Sequence, residues 1–247
     1  AAVLAEDVQV GPFSIIGEHV RIGAGTTLGA HVVISGRTSI GSRNRIFHHV
    51  SLGEVPQDKK YDGEPTRLEI GDDNVIREFC TFNIGTAQDL GYTRLGDRNW
   101  IMAYVHLAHD CVVGNETILA NCVQLAGHVE IHDFAILGGF TGVHQFCRVG
   151  AHAITGVGSV VLADVPPFVI AMGNTAVPHG VNTEGLKRRG FSREGIAEIR
   201  RAYKSLYRAG LKLEDARQVI AQQVQKCPEL GVLSGFLETT SQRSIIR

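Results

Sequence analysis

The most constraining feature of this 247-residue chain is a period of six. Val10, Ile16, Ile22, Leu28, Ile34, Ile40, Ile46 and Leu52 are all aliphatic and fall at six-residue steps. The phase breaks, resumes at Ile70, Ile76 and Phe82, and resumes again from Leu95 through Val161. Of the 23 positions on these phases, 21 are Val, Ile or Leu, and 12 are followed by glycine. A period of six matches neither an α-helix nor one long strand. It fits a short strand and a corner, repeated, with the aliphatic residue inward and a small residue letting the chain turn beside it. Three units make a triangular coil of 18 residues, and coils stack at a strand spacing of roughly 4.8 Å. The expected fold is mainly β, a parallel β-helix.

Composition fits that fold. Glycine is 29 of 247 residues, while aromatic residues are only 6%, so the core must be aliphatic. No apolar run reaches the roughly 20 residues of a membrane span, so no integral membrane segment is expected. Cys80, Cys111, Cys122, Cys147 and Cys227 form no CxxC pair, which reads as reduced thiols in a cytoplasmic protein. No signal peptide is visible, and the missing initiator Met suggests that the native protein starts earlier.

Two stretches interrupt the period, residues 54–66 and 84–93. Excursions from a regular solenoid are where function concentrates. The repeat ends at Pro166-Pro167. Helices are predicted over 191–210, capped by Ser192 and stopped at Gly210, then over about 213–226 and 229–240. The chain therefore divides into a β-helix domain, 1–183, and a helical domain, 184–247. The first carries 11 Lys/Arg against 18 Asp/Glu, and the second 13 against 7. A solvated helical face explains part of that basic excess, and the remainder suits an anionic ligand or an acidic partner. No aromatics interleave with the basic residues, so no nucleic acid is expected as a partner.

Residues 18 apart share a column. His109, Gly127 and Gln145 form one, and Asp110, His128 and Phe146 the next. His106 lies one strand and corner before His109, and His144 adjoins Gln145. A His beside a carboxylate can act as a general base, and a glycine offers an open N–H to a developing oxyanion. With no metal-ligand spacing and no nucleophilic Ser motif, the column suggests direct acyl transfer, with no metal. His19, His31, His132, His152 and His179 read as solvated histidines. His48 and His49 stay open.

The hexapeptide pattern resembles the hexapeptide-repeat acyltransferases. That likeness implies a left-handed parallel β-helix, against the usual right-handed crossover rule, and a homotrimer with sites between neighbouring prisms. More specific segments are His106-Leu-Ala-His109-Asp110-Cys111, Leu125-Ala-Gly-His128, Val143-His-Gln-Phe146, Pro56-Gln-Asp-Lys-Lys-Tyr61, Gly63-Glu-Pro-Thr-Arg67, Gly185-Leu-Lys-Arg-Arg-Gly-Phe-Ser192 and Ile245-Ile-Arg247. These resemble the UDP-N-acetylglucosamine O-acyltransferases across essentially the whole chain. Relative to that family a first partial coil with a His-Pro-Thr-Ala motif is missing.

The resemblance implies the first step of lipid A biosynthesis, in the cytoplasm of a Gram-negative bacterium. A (3R)-3-hydroxyacyl chain passes from acyl carrier protein to the 3-hydroxyl of UDP-N-acetylglucosamine, with no further cofactor. His109 would be the general base, supported by Asp110, with Gly127 N–H at the oxyanion. Asp58 and Lys60 would contact the sugar nucleotide from a neighbouring subunit. His106, His128 and Gln145 would hold sugar and pyrophosphate, and His144 would lie beside the acyl and pantetheine path. Asn182, Glu184, Arg188 and Arg189 would bind the nucleotide.

This chain departs from the family at Asn83-Ile84-Gly85-Thr86, where the family often has His-Arg-Gly-Thr. Val157 falls at the family's acyl-chain ruler, and a branched side chain there implies a donor of about ten to twelve carbons. Three other readings stand beside this one: an N-acyltransferase on an amino-sugar nucleotide, a γ-type carbonic anhydrase recruiting His106, His109 and His128 to zinc, and a binding solenoid without chemistry.

Overall fold

The computed structural model describes residues 1–239 and 242–247. Most strands are two to four residues long and pair in parallel, forming three sheets of eight, ten and eight strands. Each sheet is one face of a triangular prism, and the chain visits the faces in turn. The coil is a left-handed β-helix. Register confirms the 18-residue coil: Leu107 pairs with Leu125 and Leu125 with Val143. Inward aliphatics such as Ile34, Leu52, Leu107, Leu119 and Leu125 are fully buried, and Phe82 adds a ring at one repeat position. The low aromatic content follows from this narrow interior, which layers of branched aliphatics fill.

Both interruptions leave the prism at one corner, where the third face turns back to the first. Leu52 pairs with Phe82 and Phe82 with Leu107, steps of 30 and 25 residues instead of 18. The surplus chain is the pair of loops, and they project side by side.

The second residue of a corner turn adopts a left-handed conformation even when it is not glycine. Its side chain points outward, and successive coils stack these side chains into columns. The first corner carries Arg43, Asp73, Arg98 and Glu116, then Phe134 and His152. The second corner carries Phe13, His31, His49, Phe79 and Tyr104, then Cys122 and Phe140. The third carries Asp110, His128 and Phe146. Three corners of one repeat thus present three different chemistries.

The residue before that position leaves its N–H unused by the ladder. At the first corner a side chain from the next coil accepts it: Ser42 N–H donates to Asp72, Asp72 to Asp97, Asp97 to Asn115 and Asn115 to Asp133, all at 2.7–2.8 Å. Buried backbone donors are paired in this way as a rule.

Past the repeat, Val169–Met172 and Val177–Val181 extend the second face, which the six-residue period does not foretell. The helices are α1 (Thr183–Arg188), α2 (Arg193–Tyr207), α3 (Leu213–Val224) and α4 (Gly231–Glu238). Ser192 caps α2 as expected, its hydroxyl accepting from Gly195 N at 2.9 Å. The helix expected over 229–240 is a 3₁₀ turn, Pro228–Leu230, followed by α4, and Thr240 lies outside the described residues. Helix α1 was not legible, being only six residues long.

The helices share their own core, which reaches back to Phe168. Arg148 links the two cores: its Nε pairs with buried Asp164 Oδ2 at 2.8 Å, and its Nη2 donates to Phe236 O at 3.4 Å. The Arg148 guanidinium also lies 4.3 Å from the ring centroid of Phe236 in α4.

Candidate active site

The third corner holds the candidate site. Strand pairing places His109 directly over Gly127 and Gly127 over Gln145, with His128 N–H donating to His109 O and Phe146 N–H to Gly127 O. Nδ1 of His109 stands 2.9 Å from Oδ2 of Asp110. Asp110 is fully buried, and Thr86 from the second loop donates to it twice more, through its hydroxyl at 2.7 Å and its backbone N–H at 3.0 Å. Burial pushes the Asp110 carboxyl up, but hydrogen bonds from His109 and Thr86 outweigh it and hold it below the usual carboxylate range. Asp110 is therefore an anion at neutral pH, and His109 donates to it from Nδ1. Nε2 is left as the reactive nitrogen.

Gly127 sits against that nitrogen. A Cβ here would lie 2.5 Å from Cε1 and 2.7 Å from Nε2 of His109. Among the described residues no acceptor takes the Gly127 N–H, and no Asp or Asn bridges this corner as at the first. The glycine thus keeps an unspent donor beside the imidazole.

In the adjacent column the His128 ring stacks on Phe146, with centroids 4.3 Å apart and planes at 9°. It meets His109 edge to face at 4.9 Å. Its Nδ1 is 2.5 Å from Oδ2 of Asp89, in the second loop. These residues open on a cleft of about 800 Å³ lined in part by Asp58, Lys60, Asp89, His109, His128 and Gln145. Asp58 and Lys60 therefore line the same cleft as His109 within one chain.

The remaining candidates lie elsewhere. His106 is on the third face with Nδ1 2.8 Å from Thr81 Oγ1, and burial lowers its pKa. His144 bonds through Nδ1 to Arg243 at 2.9 Å, and Arg243 also donates to Gln145 O at 3.2 Å. Asn182, Glu184, Arg188 and Arg189 belong to α1 and its caps, at the first corner. The Asn182 side chain accepts from Gly185 N–H and donates to His152 O. Glu184 pairs with Lys187, and Arg189 with Glu116 while lying 4.1 Å over the Phe134 ring. Val157 is at the second corner, 80% exposed, beside the exposed Phe140.

One expectation is corrected. His152 is not solvated but buried, stacked between Phe134 and Phe168. Burial first, then the charge of Arg189, pushes its pKa down to about 4. The corner column, read from αL positions, could have revealed this. Asn83, where the family often has His, is buried and donates to Val55 O at 3.1 Å, so its side chain serves the first loop.

Among the described residues one group has metal-ligand potential: His109, Asp110 and His128. Asp110 already accepts from three donors and each His Nδ1 meets a carboxylate, which leaves only the two Nε2 atoms open. His106, needed for the three-histidine zinc reading, is not part of the group. Sequence reasoning also missed Thr86, Asp89 and Arg243. The first two lie in an interruption that the broken period marks, but no periodic rule says where a loop side chain lands.

Comparison with known proteins shows the family. A family model described as "Udp N-acetylglucosamine O-acyltransferase; Domain 2" matches residues 164–246, and one described as "Bacterial transferase hexapeptide (six repeats)" matches 1–36 and 92–127. The acyl-(acyl-carrier-protein)–UDP-N-acetylglucosamine O-acyltransferase of Thiobacillus denitrificans is 68% identical over 246 residues, spanning 100% of this chain and 95% of that protein. The chain belongs to the UDP-N-acetylglucosamine O-acyltransferase family. The same family name is carried by a relative from Herminiimonas arsenicoxydans, 59% identical over 100% of this chain and 95% of its own. Among solved structures, LpxA from Acinetobacter baumannii superposes with a TM-score of 0.97 at 47% identity, covering 100% of this chain and 95% of that one. An Arabidopsis UDP-N-acetylglucosamine acyltransferase gives 0.81 at 30% identity, covering 100% and 98%. Family membership makes the chain an acyltransferase.

Proposed function

We propose that this protein transfers a 3-hydroxyacyl chain from acyl carrier protein to the 3-hydroxyl of UDP-N-acetylglucosamine, the first step of lipid A biosynthesis. The observation that carries it is His109 Nε2 lying against a glycine whose N–H is unspent. Nε2 takes the proton as the sugar oxygen attacks the thioester carbonyl and a C–O bond forms. The Gly127 N–H meets the oxyanion. Collapse breaks the C–S bond, and the imidazolium returns its proton to the departing pantetheine sulfur. Asp110 supports that imidazolium with its fixed negative charge. The sequence of proton transfers closes on His109 alone and needs no cofactor or metal.

Asp58, Lys60, His128 and Gln145 line the cleft in which the sugar nucleotide would lie. His106, one strand and corner before His109, and His144, next to Gln145, would reach the substrates from beyond the cleft lining. Asn182, Glu184, Arg188 and Arg189 are at another corner, so they share a site with His109 only if a second copy supplies them. That requirement supports a homotrimer. So does the ladder of rings along the second corner, Phe13, His31, His49, Phe79 and Tyr104, stacked at 4.9–5.2 Å, with Phe13 78% exposed. The exposed Val157 continues that corner and would bound the acyl slot at about ten to twelve carbons. The basic helices suit an acidic carrier protein. Among the described residues no helix is long and apolar enough to cross a membrane.

The test combines purified protein, UDP-N-acetylglucosamine and 3-hydroxyacyl carrier proteins, with the 3-amino sugar nucleotide as competitor. An ester at the 3-oxygen is expected, and His109→Ala should lower turnover by at least about 10²-fold. Preference for the amine would turn the assignment to the N-acyltransferase. Unchanged turnover in His109→Ala would remove the base.

A further inference from the structure

Beyond the residues assigned above, the second loop contributes a side chain of its own to the site. Asp89 reaches across 39 residues of sequence to place Oδ2 2.5 Å from His128 Nδ1. The same loop donates from Thr86 to Asp110. The loop therefore supplies an acceptor to one imidazole and donors to the carboxylate behind the other.

Stacking on Phe146 fixes the plane of the His128 ring. It does not fix which edge points into the cleft, because a half-turn about the Cβ–Cγ bond leaves the stacked plane almost unchanged. A carboxylate on one side removes that ambiguity, since a reversed ring would turn a carbon toward it. Asp110 Oδ2, 4.0 Å from the same Nδ1, is too far to hold the ring by a hydrogen bond and is already occupied by other donors. The His128 side chain is 14% exposed and lines the cleft. With Nδ1 turned to Asp89, Nε2 is the nitrogen left for a ligand.

We infer that Asp89 is a positioning residue: it holds the His128 imidazole with Nε2 directed to the sugar nucleotide. The inference rests on the sugar-nucleotide reading for its kinetic consequence, but not for the orientation of the ring. Asp89 touches neither His109 nor Asp110 in any hydrogen bond among the described residues, so it acts on binding and not on proton transfer.

The test uses Asp89→Asn, Asp89→Glu and His128→Ala, alone and combined. Asp89→Asn should raise KM for UDP-N-acetylglucosamine about tenfold, the scale of one hydrogen bond to a charged group, with kcat within about threefold. Asp89→Glu should recover most of the loss. In the His128→Ala background, Asp89→Asn should add less than about twofold. A kcat loss matching His109→Ala, a full effect in the His128→Ala background, or unchanged KM each overturns the inference. Ring ¹⁵N spectra without substrate separate this from the proposed function. They should show protonated Nδ1 on His128, altered in Asp89→Asn; an unaltered ring overturns the inference even if sugar acylation stands. Absence of sugar acylation in the parental protein would sink the function instead, and the spectra would still decide Asp89.

Discussion

A methyl group on Gly127 would sit 2.5 Å from Cε1 and 2.7 Å from Nε2 of His109. No left-handed φ constrains this glycine, so alanine is acceptable to the backbone and only the imidazole objects. Gly127→Ala should fold normally, with melting temperature within a few degrees of the parent. Its kcat should fall by about 10²-fold or more as the base is displaced and the oxyanion donor obstructed. Steady-state kinetics checks this, and a variant of normal activity would show that the contact has no catalytic weight.

Thr86→Val keeps the shape and the backbone N–H but removes the hydroxyl donor to Asp110. The expected loss is about tenfold in kcat with little change in KM, because the lost hydrogen bond acts through the base. The sign for pH follows from the same bond. Thr86 helps to hold the Asp110 pKa down, so without its hydroxyl that pKa rises, and the acid limb of the rate profile should move to higher pH. An acid limb that stays in place would separate Thr86 from the carboxylate's ionisation.

Val157→Gly removes three carbons from an exposed corner site. Donor profiling should show the optimum lengthening from about ten to twelve carbons toward about fourteen, at roughly 0.8 kcal/mol per methylene accommodated. A parent that already prefers fourteen carbons would end the ruler reading.

His152 should make folding acid-sensitive. Its pKa falls from 6.5 to about 4, so the native state refuses a proton that the unfolded chain accepts. The stabilisation is complete above about 6.5 and is lost as pH drops toward about 4, amounting to about 3 kcal/mol. His152→Phe should flatten that dependence. Phe134 and Phe168 already hold the same left-handed conformation in its column. Melting curves from pH 7.5 to 4 give the comparison, and parallel curves for parent and variant would contradict it.

The spacing of 18 placed His109, Gly127 and Gln145 over one another, and His128 beside Asp110, before any coordinates. The Ser192 cap and the Gly210 stop marked out α2 from the sequence as well. The strands Val169–Met172 and Val177–Val181 were missed because they fall outside the six-residue phase. His152 was misread because a corner residue is exposed only while nothing packs on its column, and Phe168 and Phe191 do so from beyond the repeat.

By itself the sequence determined the coil and its columns. Parallel pairing links residues at a constant separation, so each neighbour is set by counting. It did not determine that both loops converge on one cleft wall, that Thr86 and Asp89 complete the two histidines, or that Arg189 belongs to another corner. Those contacts join segments that share no repeat. Their geometry depends on how surplus chain folds back over the prism, and that is decided only when hydrogen bonds, burial and charge are satisfied together in three dimensions.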